Sequence, residues 1–517
     1  MRTLRYIFAA IAVTWIVGVP GASAQQQPQQ QPSQPSQQQS SQQTQQQSQQ
    51  SPDQTAAPIP ALRSPLSLGE DNGSAAASAD PNALAPDERS LVGAQDLSLG
   101  APKTGHSYWA PYFQLSSTLD SNPLSGSGGP GWTTWTTFYG GLDMHRRSGN
   151  SDLDLTYLGG GSISTDAGTN TATVQQFGVA DALKFHRSEI VFLDQLAYTP
   201  EASFGYAGIG GPNLQVGGNI GLQSGFTPDQ SILTSLGQRI SNAFATEGDV
   251  FLTPRSFLTF VGSYSVLDFF GNNLNNNNES SVRAGYNYRM SPKDTIALSY
   301  RFGAFRYDHI PQSINDHSVQ FSYARRVTGR LAFQIGGGPD IAFSQTPITS
   351  TSGSSTVTST TPATKTRQFF WSLNSYATYQ LRRAMLTGLY SHGVSGGSGV
   401  LAGSVSDSVS GSASRMMTST VRGALNVGYS RNRGVAIPGL NGTPIIAFIP
   451  SSQTYDYWFG GVSFSRSLGR SATLYIYYQV NTQNSNASFC VTITCGKSYI
   501  GHQISMSLGW NPRPMAF

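Results

Sequence analysis

Between residues 280 and 345 polar and apolar side chains alternate in runs that are separated by short turns. Period-two alternation predicts strands with two chemically different faces. One face carries Val, Ile, Tyr and Phe, and the other carries Arg, Asn, Gln and Gly. A run of about 9–11 alternating residues is long enough to cross a bilayer as a tilted strand. The pattern therefore predicts an all-β fold, a transmembrane antiparallel up-and-down β-barrel with lipid outside and water inside.

The composition supports a barrel over several soluble domains. Charged residues make up 11% of the 517 residues, whereas soluble domains carry about a quarter. After the first two dozen residues no apolar run reaches the length of about 18 that a membrane helix needs. With 56 Gly and 11% aromatic residues, an outer-membrane barrel is favoured over its rival, a Gly/Ser-rich extracellular β protein.

The first 24 residues have the features of a secretory signal peptide. Arg2 and Arg5 precede an apolar core, and Ala22–Ala24 fits the small-residue cleavage rule. The apolar run is too short for a membrane anchor. The sequence predicts cleavage before Gln25, and hence export.

Residues 25–104 are rich in Gln, Ser, Pro and Ala. Such a segment cannot bury enough apolar surface to offset the entropy of ordering, so we expect a disordered periplasmic linker. It is either a passive spacer or a tether to a cell-wall or exopolysaccharide partner. Residues 105–517 are predicted to form the barrel.

Short connections are predicted at one end of the strands and long polar loops at the other. The turns are expected near Arg147, Arg187, Pro254, Pro292, Thr328, Arg382, Asn432 and Leu468, and the loops at Thr346–Thr366, Ser395–Ser414 and Gln483–Ser498. In outer-membrane barrels the short turns are periplasmic and the long loops extracellular. Both termini then lie in the periplasm, which requires an even strand count. Eight turns predict about 18 strands, with 16 or 14 as alternatives.

Three segments do not fit a simple hairpin. Asp229–Ile240 has helical spacing and is either a short helix in the lumen or a surface loop. Ala436–Pro450 contains three prolines and is expected to be mostly loop. Cys490 and Cys495 are the only cysteines. In an exported chain they predict a disulfide, and a metal or redox pair is the less favoured alternative.

The last strand, Gly501–Trp510, resembles the aromatic-ended closing strand of Gram-negative outer-membrane β-barrel proteins. This resemblance implies recognition by the barrel-assembly machinery, although a proline-containing tail follows and ends in Phe517. The recurrent turn-plus-strand pattern, as in Leu252–Tyr264 and Met290–Tyr300, is most similar to β-barrel porins. The resemblance spans roughly residues 105–517 and implies insertion into outer-membrane lipid.

The polar face of the alternating runs is predicted to line the lumen, because a charge on the lipid face costs about 2–4 kcal/mol at the midplane. The candidate lumen residues are Arg283, Asn287, Arg301, Gln320, Gln334, Arg422 and Asn426. Inward arginines favour anions or acidic sugars. Alternatively, they pair with lumen carboxylates and only brace the wall.

The sequence therefore predicts a porin-like channel for passive diffusion of small hydrophilic solutes. The alternative is a structural or interaction barrel in surface adhesion or exopolysaccharide export. An enzyme is less favoured, although Asp308–His309 and Asp316–His317 pair a carboxylate with an imidazole and His392 lies near the same rim. No cofactor or metal motif is present in the sequence, and the net charge of +4 is too small to indicate nucleic-acid binding.

Overall fold

The structure is a computed structural model in which the described residues are almost entirely β-strand. It describes residues 107–121, 132–164, 171–199, 239–270, 275–308, 312–328, 330–348, 361–397, 399–435, 453–486 and 498–516. Within these residues no helix is long and apolar enough to cross a membrane. The strands are β1 Tyr108–Asp120, β2 Thr133–Ser148, β3 Ser151–Ser164, β4 Thr171–Lys184, β5 Ser188–Thr199, β6 Arg239–Thr253, β7 Ser256–Phe269, β8 Asn277–Ser291, β9 Asp294–Tyr307, β10 Ser313–Arg326, β11 Leu331–Ile348, β12 Thr361–Gln380, β13 Ala384–Ser395, β14 Ser404–Met416, β15 Val421–Gly434, β16 Thr454–Leu468, β17 Ala472–Ser485, β18 Ser498–Trp510 and β19 Met515–Ala516.

Each of the strands β1 to β18 pairs antiparallel with the next, and β18 pairs with β1. The closing register runs from Phe113 opposite Trp510 to Asp120 opposite Gln503. The two-residue β19 returns after the prolines to pair with Tyr108 and Trp109. The result is a closed 18-stranded up-and-down barrel, which confirms the predicted fold class and strand count.

The burial pattern is inverted relative to a soluble protein. On β8 the apolar Val282 is 59% exposed, whereas its neighbour Arg283 is 3% exposed and Asn287 is fully buried. The same alternation runs through β9, where Leu298 is exposed and Ser299 is buried. A pleated strand sends successive side chains to opposite faces, so on these strands apolar side chains cover the outside of the ring and polar ones line its inside.

The short turns lie at one end of the barrel, which we call the turn end. Seven of the eight predicted turn positions lie at or beside observed turns. The prediction at Asn432 is wrong, because Asn432 lies within β15 and the connection is at 417–420. The sequence Arg431–Gly434 has the composition of a turn, but its residues pair with β14.

The predicted loop Ser395–Ser414 is also largely wrong. Residues 404–414 belong to β14, which pairs along its whole length with β13 and β15. The strand was missed because its sequence SVSDSVSGSASRM has few apolar residues to mark the outward face. The predicted loops Thr346–Thr366 and Gln483–Ser498 are shorter than expected, since β11, β12 and β17 extend into them.

Several predictions lie outside the described residues. These are the signal peptide and linker within residues 1–106, the segment 229–238, the segment Ala436–Pro450, and the cysteines Cys490 and Cys495. The last two residues of the segment Asp229–Ile240, for which a helix and a surface loop were both open, begin β6.

Candidate functional site

The interior of the barrel has two chemically different sides. Inward charged side chains are concentrated on β1 to β11, including Asp152, Arg239, Glu247, Asp249, Glu279, Arg283, Arg301, Asp316 and Asp340. On the described parts of β12 to β15 the inward residues are mostly Ser, Thr, Asn, Gln and Gly, with a single charge, Arg422, and a few larger apolar or aromatic side chains: Phe370, Tyr376, Met385, Leu389 and Met416. We call these the charged side and the hydroxyl side.

On the charged side the polar groups contact one another. The Arg301 guanidinium donates to the Asp316 carboxylate at 2.7 Å, and both side chains are buried. Arg283 stands directly opposite Arg301 on the neighbouring strand. Glu279 and Asp340 are buried beside this pair. A buried charge needs such partners because moving a charged group out of water without a partner costs on the order of several kcal/mol of desolvation free energy.

The predicted lumen residues Asn287 and Gln320 are also on this side and are held by direct hydrogen bonds. Asn287 Nδ2 donates to Thr259 Oγ1 at 2.9 Å. Gln320 Nε2 donates to Ser372 Oγ at 3.0 Å. This bond crosses the inward face of β11 and joins β10 to β12. Amide groups with partners on neighbouring strands act as braces between them.

A second charged cluster lies on β2 to β4 close to the turn end. His145 Nδ1 is 2.8 Å from Asp154 Oδ1, and Lys184 Nζ is 3.7 Å from Asp152 Oδ2. These side chains connect three consecutive strands of the charged side.

Of the other three candidates, Arg422 and Asn426 lie on the hydroxyl side, and Gln334 lies on β11, which borders it. Gln334 lies on β11 opposite Ala324, and Asn426 lies on β15 opposite Ser412. Arg422 lies near the start of β15, where its Nε is 3.3 Å from the Met416 sulfur. The sequence pattern had placed all seven candidates in a single lumen lining. In the structure four of them lie among the buried polar groups of the charged side, and the other three lie on or beside the hydroxyl side.

The interior is open along the hydroxyl side. Leu389 on β13 points inward, opposite Tyr376 and Ser410, yet it is 50% exposed. A Cβ built on Gly393, two inward positions further on, meets no heavy atom within 4 Å. On β6 to β10, by contrast, most inward side chains are buried. Water-accessible space therefore lies against β13 and β14.

The described residues of the β13–β14 connection, 396–397 and 399–403, fold into the barrel, and we call them the inward segment. The Asn277 side chain donates to Gly396 O at 3.2 Å, and the Asn275 amide donates to Gly399 O at 2.7 Å. These contacts join the β13–β14 connection to β8 and to the residues just before it, five strands away around the ring.

Apolar contacts hold the inward segment in place. Leu401 packs on Tyr455, and Val400 packs on Leu267 and Phe269. A further cluster joins it to the walls: Phe305, Tyr307, Ile314, Ala342, Val394, Ala402, Val405 and Val435. The segment narrows the lumen at the end opposite the turns, and no sequence signal beyond its glycines marks it.

β13 separates from β12 at the end of the barrel opposite the turns, while β14 stays paired with β15. β12 pairs with β13 only from Leu373 to Gln380, whereas its pairing with β11 continues to Thr361. Val394 and Val405 lie beyond the last pair and contact residues of the inner wall. The hairpin tip thus bends inward and buries what would otherwise be outward side chains.

Of the residues considered for an enzyme, Asp316 and His317 do not form the expected pair. Asp316 is fully buried inside, whereas its neighbour His317 points outward and lies 2.7 Å from Tyr300 Oη. His392 contacts Asp407 and stacks on Trp371 at 3.8 Å between ring centroids, on the outer face. His309 lies outside the described residues. Among the described residues no three His, Cys, Asp or Glu side chains are grouped to hold a metal ion.

Comparisons with known proteins return structures but no sequence family. No family model matches the chain, and no curated protein matches it. The fold is similar to the crystal structure of OccK2 (OpdF) from Pseudomonas aeruginosa, with 11% identity over 78% of this chain and 98% of that chain and a TM-score of 0.37. It is similar to OccAB1 from Acinetobacter baumannii, with 8% identity over 79% and 97% and a TM-score of 0.38. It is also similar to OpdK from Pseudomonas aeruginosa with vanillate, with 9% identity over 79% and 99% and a TM-score of 0.38. Identities and scores this low assign neither a family nor a solute.

Proposed function

We propose that the protein is an outer-membrane channel for passive diffusion of small hydrophilic solutes. The observation that carries this proposal is the space along the hydroxyl side of a closed ring, where the inward Leu389 is half exposed. A ring of about 18 strands is too wide for its own side chains to fill. A lined aqueous path needs no catalytic group, because size and polarity are enough to select solutes.

A membrane location is supported by the outer surface of the ring. Leu298, Phe321 and Ile476 are among the many exposed apolar residues on outward positions. Such a surface would aggregate in water, whereas the hydrocarbon of a bilayer solvates it. Pairing of the first strand with the last also leaves no open strand edge between them, as a bilayer requires. Outer-membrane lipid is thus the expected partner of this surface, and the barrel-assembly machinery is the expected partner of β18.

The test is single-channel recording of the purified full chain in planar bilayers. Stepwise currents in KCl are expected, together with swelling of liposomes in small neutral solutes. A chain that inserts as a folded barrel but gives neither current steps nor swelling would contradict the proposal. That result would favour the alternative of a structural or export barrel.

A further inference from the structure

The inward face of β14 is a row of six serines at every second position: Ser404, Ser406, Ser408, Ser410, Ser412 and Ser414. Successive inward residues of a strand are about 6.6–6.8 Å apart, so the row is about 33 Å long. It runs along the wall from near the turn end to the inward segment. All but Ser404 are partly accessible.

β13 carries a second set of hydroxyls beside this row. Ser391 and Ser408 are 2.6 Å apart, and Ser395 and Ser404 are 2.7 Å apart. Thr387 and Ser412 are hydrogen-bonded in the same way. A pair of hydroxyls has two donors and four acceptor lone pairs, and its mutual bond uses one of each. Each pair on the open part of the wall therefore retains a donor and several acceptor sites for a solute.

An apolar surface lies between two of these pairs. Leu389 and the directly opposite Tyr376 face the lumen between the levels of Ser412 and Ser408. Leu389 is the exposed member. A few placed polar groups beside an apolar or aromatic surface are typical of small-molecule sites. A saccharide ring matches this arrangement, because it has hydroxyls around its edge and C–H groups on its faces.

Charge distribution argues against an anionic solute on this path. Arg422 is the only inward charge on the described parts of β12 to β15. The arginines Arg283 and Arg301 are buried on the charged side, and Arg301 is paired with Asp316. Arg422 stands opposite Met416 at the turn end of this face. Along the rest of the row a carboxylate would leave water for hydroxyls alone and lose solvation without a cation to compensate it. A neutral polyol exchanges water hydrogen bonds for equivalent ones.

We propose that the paired hydroxyl rows of β13 and β14 are the binding path for neutral polyhydroxylated solutes of the saccharide class. This inference rests on the proposed channel function and names its substrate class. It replaces the expectation that inward arginines select anions or acidic sugars.

The experiment uses the full chain in planar bilayers with maltotriose and with gluconate as probes. Maltotriose is expected to block the KCl current in a concentration-dependent way, and gluconate is expected to block it much less. The double variant S408A/S412A is expected to weaken the maltotriose block about tenfold, as for two neutral hydrogen bonds lost. The matched control S318A/S322A removes two inward serines at the same spacing on β10, which lies on the charged side. It is expected to leave the block unchanged.

Calorimetric titration of maltotriose into the detergent-solubilised chain separates the two proposals. Binding without any conductance would contradict the channel function while supporting the hydroxyl path. Conductance without maltotriose block or binding would overturn the hydroxyl path and leave the channel function standing. Equal block by gluconate, or equal effects of the two double variants, would also overturn it.

Discussion

Arg301 donates a 2.7 Å hydrogen bond to Asp316 on the neighbouring strand, and the two side chains are buried inside the barrel. Removing one partner would leave the other charge buried without compensation. We expect Arg301→Met to destabilise the barrel by about 3–5 kcal/mol. Thermal unfolding in detergent, followed by circular dichroism, measures the change.

The matched control for that variant is Arg325→Gln on β10. Arg325 Nε is 3.5 Å from Asp294 Oδ1, but the Arg325 side chain is 52% exposed. Solvent screens such a pair, so the control is expected to unfold almost as the natural protein does. Equal losses in the two variants would show that Arg301 does not brace the wall.

The outward face can be tested at Leu298, near the middle of β9. If hydrocarbon covers this face, Leu298→Arg should destabilise the inserted barrel by about 2–4 kcal/mol. Met417→Arg, at an exposed turn residue, should have little effect. Urea-dependent folding into lipid vesicles provides the measurement. A neutral result for Leu298→Arg would mean that water touches this face.

The inward segment depends on glycine at position 397. Gly397 has a φ of 82°, and a Cβ added there would lie 2.2 Å from the backbone oxygen of Leu401. We expect Gly397→Ala to displace the segment and to raise single-channel conductance. The positive φ is strained for any residue with a Cβ, and the Leu401 carbonyl occupies the space that the Cβ would need. Gly149 is the control, since its φ is 56° but an added Cβ meets nothing within 4 Å. Gly149→Ala should leave the conductance unchanged. Identical conductance in both variants would show that the segment does not narrow the path.

Asp294 at the β8–β9 turn predicts a pH effect on stability. Hydrogen bonds from Ser291 and from Tyr323 hold the pKa of Asp294 below its usual value. A carboxyl whose folded pKa is lowered stabilises the fold above its unfolded pKa, about 3.9, and this contribution disappears as the pH falls through the folded pKa. The difference in melting temperature between the natural protein and Asp294→Asn should therefore be present at neutral pH and vanish in acid. A difference that stays constant across that range would rule out this linkage.

Much of the fold was predictable because the alternation of neighbouring residues marks the two faces of a strand. Val282 and Arg283 differ in polarity, and their burial differs accordingly. The Ser-rich β14 was missed because it has few large outward side chains, and its place in the ring depends on pairing with β13 and β15. The turn predicted at Asn432 was wrong for the same reason. Asn432 pairs with Ser406 of β14, and this pairing could not be expected while β14 was taken for a loop.

The sequence by itself determined which residues alternate, where most turns fall and that an even ring of about 18 strands follows. Only the tertiary structure decided which inward residues face water. Arg301 and Ser408 both point inward, but one is paired with Asp316 among packed neighbours and the other lies beside open space. The contacts that make this difference are between side chains on neighbouring strands. Which inward faces stay accessible also depends on how the whole ring closes and where the inward segment packs, and no local pattern encodes either.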